Sequence, residues 1–307
     1  MILVTNNEGT KGAPITAQLL ARGTSALDAV EAGVRGVESD PGVRTVGKGG
    51  WPNLIGEIEL DAAIMDGDTL RTGSVGALKG FAHPISVARA VLERLPHEML
   101  VGEGAARFAA EIGAEQDDNL LPDTMDPWKA WFSRELSPEE QDAFPGIALA
   151  EHCRAAIDPE KPMGTTVFLA LDGRGSIAGG VSTAGWAFKY PGRLGDSPVI
   201  GAGMYADSAY GAAACTGAGE MAIRTSAARS AVLYMKMGMT IREALDEVVR
   251  DLARLKGGLV DRITLHAVSR TGEHRVLAVN APKPWFYWLW DGEGAPRWTE
   301  AERAASR

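Results

Sequence analysis

Residues 164–185 read GTTVFLALDGRGSIAGGVSTAG, two apolar segments on either side of a short polar turn. Val167–Leu171 and Ile177–Val181 have a composition that suits a pleated, buried surface, and Asp172-Gly173-Arg174-Gly175 between them is turn chemistry. The stretch therefore predicts a buried β-hairpin with strands over about 165–172 and 176–183. Thr165 and Thr166 open it, directly after Gly164. Strand propensity alone accounts for a threonine at such an edge, so a chemical role for either hydroxyl has to rest on what the rest of the chain brings to it.

Around this hairpin, strands and helices come in blocks. Residues 2–5 read as a strand, and the segment from Pro14 to Asp40 has helical spacing through Ala17, Leu20, Ala26, Ala29, Val30 and Val34, with Pro14 suited to a first helical turn. Asp66-Gly67 separates two β-rich runs and signals a second hairpin. Helices are expected near 84–95, 103–113, 219–237 and 240–255, and strands near 263–269 and 275–280. Residues 114–145 are acidic and proline-containing. They predict a long surface excursion, with one short helix around Trp128–Phe132. The tail WFYWLWDGEGAPRW, residues 285–298, is an aromatic cluster expected to cover an edge or form an interface. Blocks of this kind predict layers of sheet and helix, an α+β arrangement, rather than a strictly alternating parallel fold.

Composition narrows the function classes. The chain has 307 residues, 45% of them apolar and 23% charged, which is the balance of a soluble domain and not of a disordered or membrane protein. A net charge of −9 argues against nucleic acid or an anionic lipid surface as partner. Cys153 and Cys215 are too few for a disulfide framework. The five histidines lack metal-ligand spacing, and no G-x-S-x-G elbow is present. The start, MILVTNNEG, has no basic segment and only a short apolar run, so the expected location is cytoplasmic. PVIGAGMYAD, residues 198–207, imitates a dinucleotide-binding glycine turn, but that fingerprint needs a helix directly after it. The glycine-rich DSAYGAAACTGAG found there is a poor helix.

Several ordered motifs converge on one resemblance. GTTVFLALDGRGSIAGGVSTAG, GRLGDSPVIGAG and AAACTGAGE, together with GTSALDAVEAGV and GEIELDAAIMDG upstream, resemble the N-terminal nucleophile (Ntn) hydrolases of the asparaginase, isoaspartyl peptidase and glycosylasparaginase family. The upstream pieces look most like the glycosylasparaginase branch. The likeness spans about residues 15–280. It implies an αββα four-layer sandwich, a single domain over 1–307 that cuts itself at Gly164–Thr165, and chains of residues 1–164 and 165–307.

Thr165 would then be both nucleophile and base. Its freed α-amine would titrate near pH 7.7–8.0, so a useful fraction is neutral where a lysine is not, and it would activate the adjacent hydroxyl. By the same resemblance Thr183 is the second active-site threonine, bonded to the nucleophile. Arg193 and Asp196 would grip the α-carboxylate and α-ammonium of an aspartyl substrate, a pairing that suits an arginine fork and an aspartate. Thr216 and Gly217 would form the oxyanion hole.

No metal or organic cofactor is implied, and the partners would be a small aspartyl or asparagine substrate and a second copy of the cleaved unit in a homodimer. The chain departs from the family's pattern at Val167, where glycine is usual, and at Asn7, which stands where a substrate-contacting tryptophan would be. Trp51 is the candidate substitute. Two other readings compete: a dinucleotide-dependent oxidoreductase resting on VIGAGMYA, and an uncleaved homologue acting as a binding protein.

Overall fold

A computed structural model describes residues 1–156 and 164–306; residues 157–163, part of the expected 1–164 chain, lie outside the described residues. In chain order the strands are β1 (Ile2–Asn6), β2 (Leu60–Asp66), β3 (Thr72–Leu78), β4 (Met99–Val101), β5 (Thr166–Leu171), β6 (Ile177–Thr183), β7 (Met204–Asp207), β8 (Gly211–Gly217), β9 (Ile263–Ser269), β10 (His274–Val279), β11 (Phe286–Trp290), β12 (Arg297–Glu300) and β13 (Glu302–Ala304). The helices are α1 (Gly12–Ala21), α2 (Ala26–Glu38), α3 (Pro84–Arg94), α4 (Gly102–Glu111), α5 (Pro122–Glu135), α6 (Pro138–Ala143), α7 (Leu149–Ala156), α8 (Gly219–Thr225), α9 (Ala227–Lys236) and α10 (Ile241–Ala253).

The hairpin that opened the reading is β5–β6. Thr166 pairs with Ser182 and Leu171 with Ile177, while the Asp172 carboxylate organises the turn by accepting from the backbone N–H of Arg174 and Ser176. The hairpin sits in the middle of an eight-stranded sheet ordered β12-β11-β1-β5-β6-β2-β3-β4. A second sheet of five strands runs β13-β10-β9-β8-β7. The molecule is thus a mixed α/β structure with two sheets.

Side chains alternate across a strand, and each sheet buries both faces. In β5, Phe168 and Ala170 join a core with α1, α2, α3 and α4, whereas Val167, Leu169 and Leu171 turn the other way. There they meet Ala212 and Ala214 of β8 and Val268 of β9, so the two sheets share a core. The opposite face of the second sheet, with Ala213, Cys215 and Leu265, packs on α8, α9 and α10. Burying a side chain such as Phe168 is worth about 2–3 kcal/mol.

Local signals explain several boundaries. Ser25 caps α2 by accepting from the Asp28 N–H, and Thr240 with Glu243 forms a capping box at the start of α10. Other expectations needed correction. The helical segment after residue 14 is two helices, because Gly23 breaks it at φ +82°. The single helix expected over 219–237 is broken at Ser226, which has a left-handed backbone. The stretch 114–145 holds two helices, α5 and α6, where only a short one was expected. The aromatic tail, by contrast, covers an edge as expected, adding β11 and β12 to the first sheet beside β1. Glycine-rich VIGAGMYAD leads into β7, which pairs antiparallel with β8. No helix N-terminus stands there to receive a pyrophosphate, which removes the dinucleotide reading.

Candidate active site

Continuing the alternation of Val167, Val181 and Ala214 places Thr165, Thr183 and Thr216 on the face between the sheets, at one end of that shared core. Thr165 is buried and lies just before β5. Its backbone is held from β1, since Asn6 Nδ2 donates to the Thr165 carbonyl at 2.6 Å while Asn6 Oδ1 accepts from the Val167 N–H at 3.1 Å. One amide thereby continues the β1–β5 ladder where the backbone pairing stops. Val167, the departure from the family's glycine, packs between the sheets opposite Val181. Thr166 faces the other way, buried beside Ser182.

The hydroxyl of Thr183 lies 2.7 Å from the carbonyl oxygen of Gly164 and 3.2 Å from that of Thr45, and it accepts from the Gly185 N–H at 2.9 Å. Having one proton, it gives the stronger bond to Gly164, so the carbonyl preceding Thr165 is polarised. Thr216 is also buried, and its hydroxyl has no hydrogen-bond partner among the described residues. A buried hydroxyl left unpaired costs about 1–3 kcal/mol, and it is available to a developing oxyanion. Gly217 beside it has φ +107°, and a Cβ there would come within 2.7 Å of the Arg262 carbonyl. Only glycine fits.

Two cavities meet at Gly164, Thr165 and Gly217. The smaller is lined also by Thr183, Trp186, Arg193 and Asp196. Arg193 lies over the Trp186 ring, 4.5 Å from its centre, and its Nε and Nη2 donate to Glu220 Oε1 at 3.1 and 2.8 Å. Its Nη1 has no hydrogen-bond partner among the described residues, leaving a donor for a carboxylate. Asp196 is buried with Oδ2 unpartnered among the described residues, and burial pushes its carboxyl up to about 7 against the pull of the Arg193 charge. An incoming ammonium would satisfy that oxygen and restore the carboxylate.

The larger cavity is lined by Asn7, Glu8, Thr216, Arg262 and Trp285 among others. Trp51 is elsewhere: it meets Phe188 edge-on at 6.3 Å in a separate aromatic cluster with α5. Trp285, whose Nε1 is buried and has no partner among the described residues, is the tryptophan at the cavity.

These contacts gather Gly164, Thr165, Thr183, Arg193, Asp196, Thr216 and Gly217 and leave out Trp51. They also add Asn6, Glu8, Thr45, Trp186 and Glu220, which no motif marked. Of these only Glu220, at the end of AAACTGAGE, lay inside a recognised stretch.

A family model described as asparaginase matches residues 10–283. The chain belongs to the asparaginase family. It is 38% identical over 284 residues to the N(4)-(β-N-acetylglucosaminyl)-L-asparaginase of Elizabethkingia miricola, covering 91% of this chain and 78% of that one. It is also 38% identical to an isoaspartyl peptidase/L-asparaginase of Mus musculus, covering 87% and 77%, and to an isoaspartyl peptidase of Salmonella typhimurium, covering 78% and 74%. The protein is accordingly an amidohydrolase of the asparaginase type. Among the described residues no helix is long and apolar enough to cross a membrane.

The site of this asparaginase-family chain carries a pH signature. Burial raises Asp196 and Glu8 to about 7 in the fold, above their unfolded values near 4. Between about 4 and 7 the folded state therefore holds more protons than the unfolded one, and stability falls as pH rises through that window. We expect Asp196→Asn to gain on the wild type by about 1.4 kcal/mol per pH unit there, read from urea unfolding at several pH values. A constant difference would contradict it.

Proposed function

We propose that this amidohydrolase frees Thr165 as an N-terminal nucleophile by breaking its own Gly164–Thr165 bond, and then cleaves the side-chain amide of aspartyl compounds through a β-aspartyl ester. The observation that carries the reading is the meeting of Thr165, Thr183 and Gly217 with the Arg193–Asp196 cavity at the end of the inter-sheet core. The order of the three cores supports an αββα four-layer Ntn-hydrolase sandwich over 1–307, cut into chains of residues 1–164 and 165–307 that stay paired, with a homodimer as the assembly.

Once cut, Thr165 would hold its hydroxyl beside its own α-amine, a base suited to neutral pH. Arg193 Nη1 would take the substrate's α-carboxylate and Asp196 its α-ammonium, placing the side-chain amide at Thr165. The hydroxyl attacks the amide carbon as its proton passes to the α-amine. The Thr216 hydroxyl and the Gly217 N–H would receive the negative charge that develops on the carbonyl oxygen. The amine returns the proton to the departing nitrogen, leaving an ester, and water activated by the same amine releases aspartate.

The relatives' names share an aspartyl half and differ in what leaves. The larger cavity, with Asn7, Arg262 and Trp285, shares Gly164, Thr165 and Gly217 with the smaller one but not Arg193. Asn7, Arg262 and the Trp285 Nε1 there offer polar partners that ammonia would not use, so a bulky leaving group, a β-linked amino acid or a glycosylamine, fits better than the bare amide of L-asparagine. The test is intact-mass measurement of the purified protein together with kcat/KM on L-asparagine, a β-aspartyl dipeptide and N4-glycosylated asparagine. We expect fragments ending at Gly164 and beginning at Thr165, and a bulky substrate preferred by about tenfold or more. An unsplit protein hydrolysing none of the three would sink the proposal.

A further inference from the structure

Glu8 has no part in the substrate chemistry above, yet it lies against the bond that must break. It sits in a short 3-10 turn, Asn7–Thr10, that follows β1. A Cβ added to Gly164 would collide with Glu8 Oε1 and with the side chain of Thr45, so the carboxyl occupies the space where a side chain at 164 would begin. Thr45 Oγ1 donates to Oε1 at 2.6 Å and fixes the carboxyl. The other oxygen, Oε2, is buried and has no hydrogen-bond partner among the described residues. Glu8, Gly164 and Thr165 line one cavity, and among the described residues the only other ionisable side chain in its lining is Arg262. A buried carboxyl with one oxygen anchored and the other free costs stability unless it has work to do.

We propose that Glu8 is the acid–base group of the self-cleavage step, taking the proton of the Thr165 hydroxyl and passing it to the Thr165 nitrogen. This rests on the reading of Thr165 as a self-released nucleophile. Before the cut the nucleophile has no free α-amine, because its nitrogen is the amide to be broken, so the first step needs another base. Thr165 Oγ forms a bond to the Gly164 carbonyl carbon while its proton moves to Glu8 Oε2, and Thr183 donates to the carbonyl oxygen throughout. The C–N bond then breaks, the nitrogen receives the proton from Glu8 and becomes the α-amine, and residues 164 and 165 remain joined by an ester. Water hydrolyses the ester to the Gly164 carboxylate and the free Thr165 hydroxyl, with nothing oxidised or reduced. Burial raises the Glu8 carboxyl to about 7, which suits a group that must both accept and return a proton near neutrality. Glycine at 164 follows from the same geometry, since any side chain there would displace the carboxyl.

The test is the rate of splitting, followed by intact mass, in freshly purified wild type, Glu8→Gln, Glu8→Ala and Glu8→Asp. Near-UV circular dichroism establishes that each is folded. The isosteric Glu8→Gln variant removes a buried ionisable group and is expected to keep the fold. Glu8→Gln and Glu8→Ala should split about 10²-fold more slowly or worse, Glu8→Asp should be intermediate, and added formate should accelerate Glu8→Ala by entering the vacated space. A merely structural role would not respond to formate. If Glu8→Gln and Glu8→Ala split at the wild-type rate, Glu8 has no such role and the nucleophile reading survives. If Glu8→Asp is as slow as Glu8→Ala and formate changes nothing, the acid–base role is likewise overturned. A wild type that stays whole overturns the self-cleavage reading and the role of Glu8 with it.

Discussion

Thr165→Ala is expected to leave the chain whole and to lower hydrolysis of every aspartyl substrate by about 10⁴-fold or more, the scale seen when a nucleophile is deleted. Both losses have one cause. The Thr165 hydroxyl would attack Gly164 in the first event and substrate in the second, so no other group near the site can replace it in either. The change itself is mild for the fold: Thr165 precedes β5 and its backbone is held through Asn6 to its carbonyl, a contact that alanine keeps. A single mass for the full chain, with an unfolding midpoint close to that of the wild type, is the expected result. A split Thr165→Ala protein would show that the cut falls elsewhere.

Arg193→Ala is expected to separate the two events. Arg193 lies in the smaller cavity, while the carbonyl to be broken takes its hydrogen bond from Thr183. Splitting should therefore proceed, and kcat/KM for a β-aspartyl substrate should fall by about 10²-fold or more, because truncating one side of a buried charged contact costs about 2–5 kcal/mol. The loss has two sources. The donor for the α-carboxylate is gone, and so is the positive charge that holds the Asp196 carboxyl to about 7 against the upward push of burial. At pH 7 Asp196 would then be mostly protonated and unable to pair with the α-ammonium. Glu220, whose partner is the Arg193 fork at 2.8 Å, would lose it as well. Arg193→Lys should recover little, since an ammonium cannot hold Glu220 and a substrate carboxylate in one planar array. An Arg193→Ala enzyme with unchanged kcat/KM would mean that the aspartyl half binds elsewhere.

Much of the frame was legible from residues close in sequence. The hairpin at 164–185 and the turn at Asp66-Gly67 rest on composition and turn chemistry within a few residues, and both strands of each pair lie where those signals put them. Helix breaks were less legible. Ser226 adopts a left-handed backbone between α8 and α9 that nothing in its neighbours announces, and Gly23 was hidden by apolar periodicity running through it. Residues 114–145 were misjudged because their aromatic side chains pack on a local cluster with Leu54 and Phe188. That partner surface lies far away in sequence.

From the sequence alone came the strand-turn order, the small-residue strand leading to Gly217, and the identity of the candidate chemical groups: Thr165, Thr183, Arg193, Asp196 and Thr216. The first two depend on residue type and local spacing, and the chemical groups on motifs that resemble the asparaginase family, all of which a linear text carries. Only the tertiary structure decided what surrounds them. It set Glu8 and Thr45 against Gly164, paired Arg193 with Glu220, left Asp196 and Thr216 with buried oxygens that have no partner among the described residues, and put Trp285 rather than Trp51 at the larger cavity. Each of those contacts joins residues brought together only when two sheets close on a shared core, and no local propensity records which side chains will meet at its end.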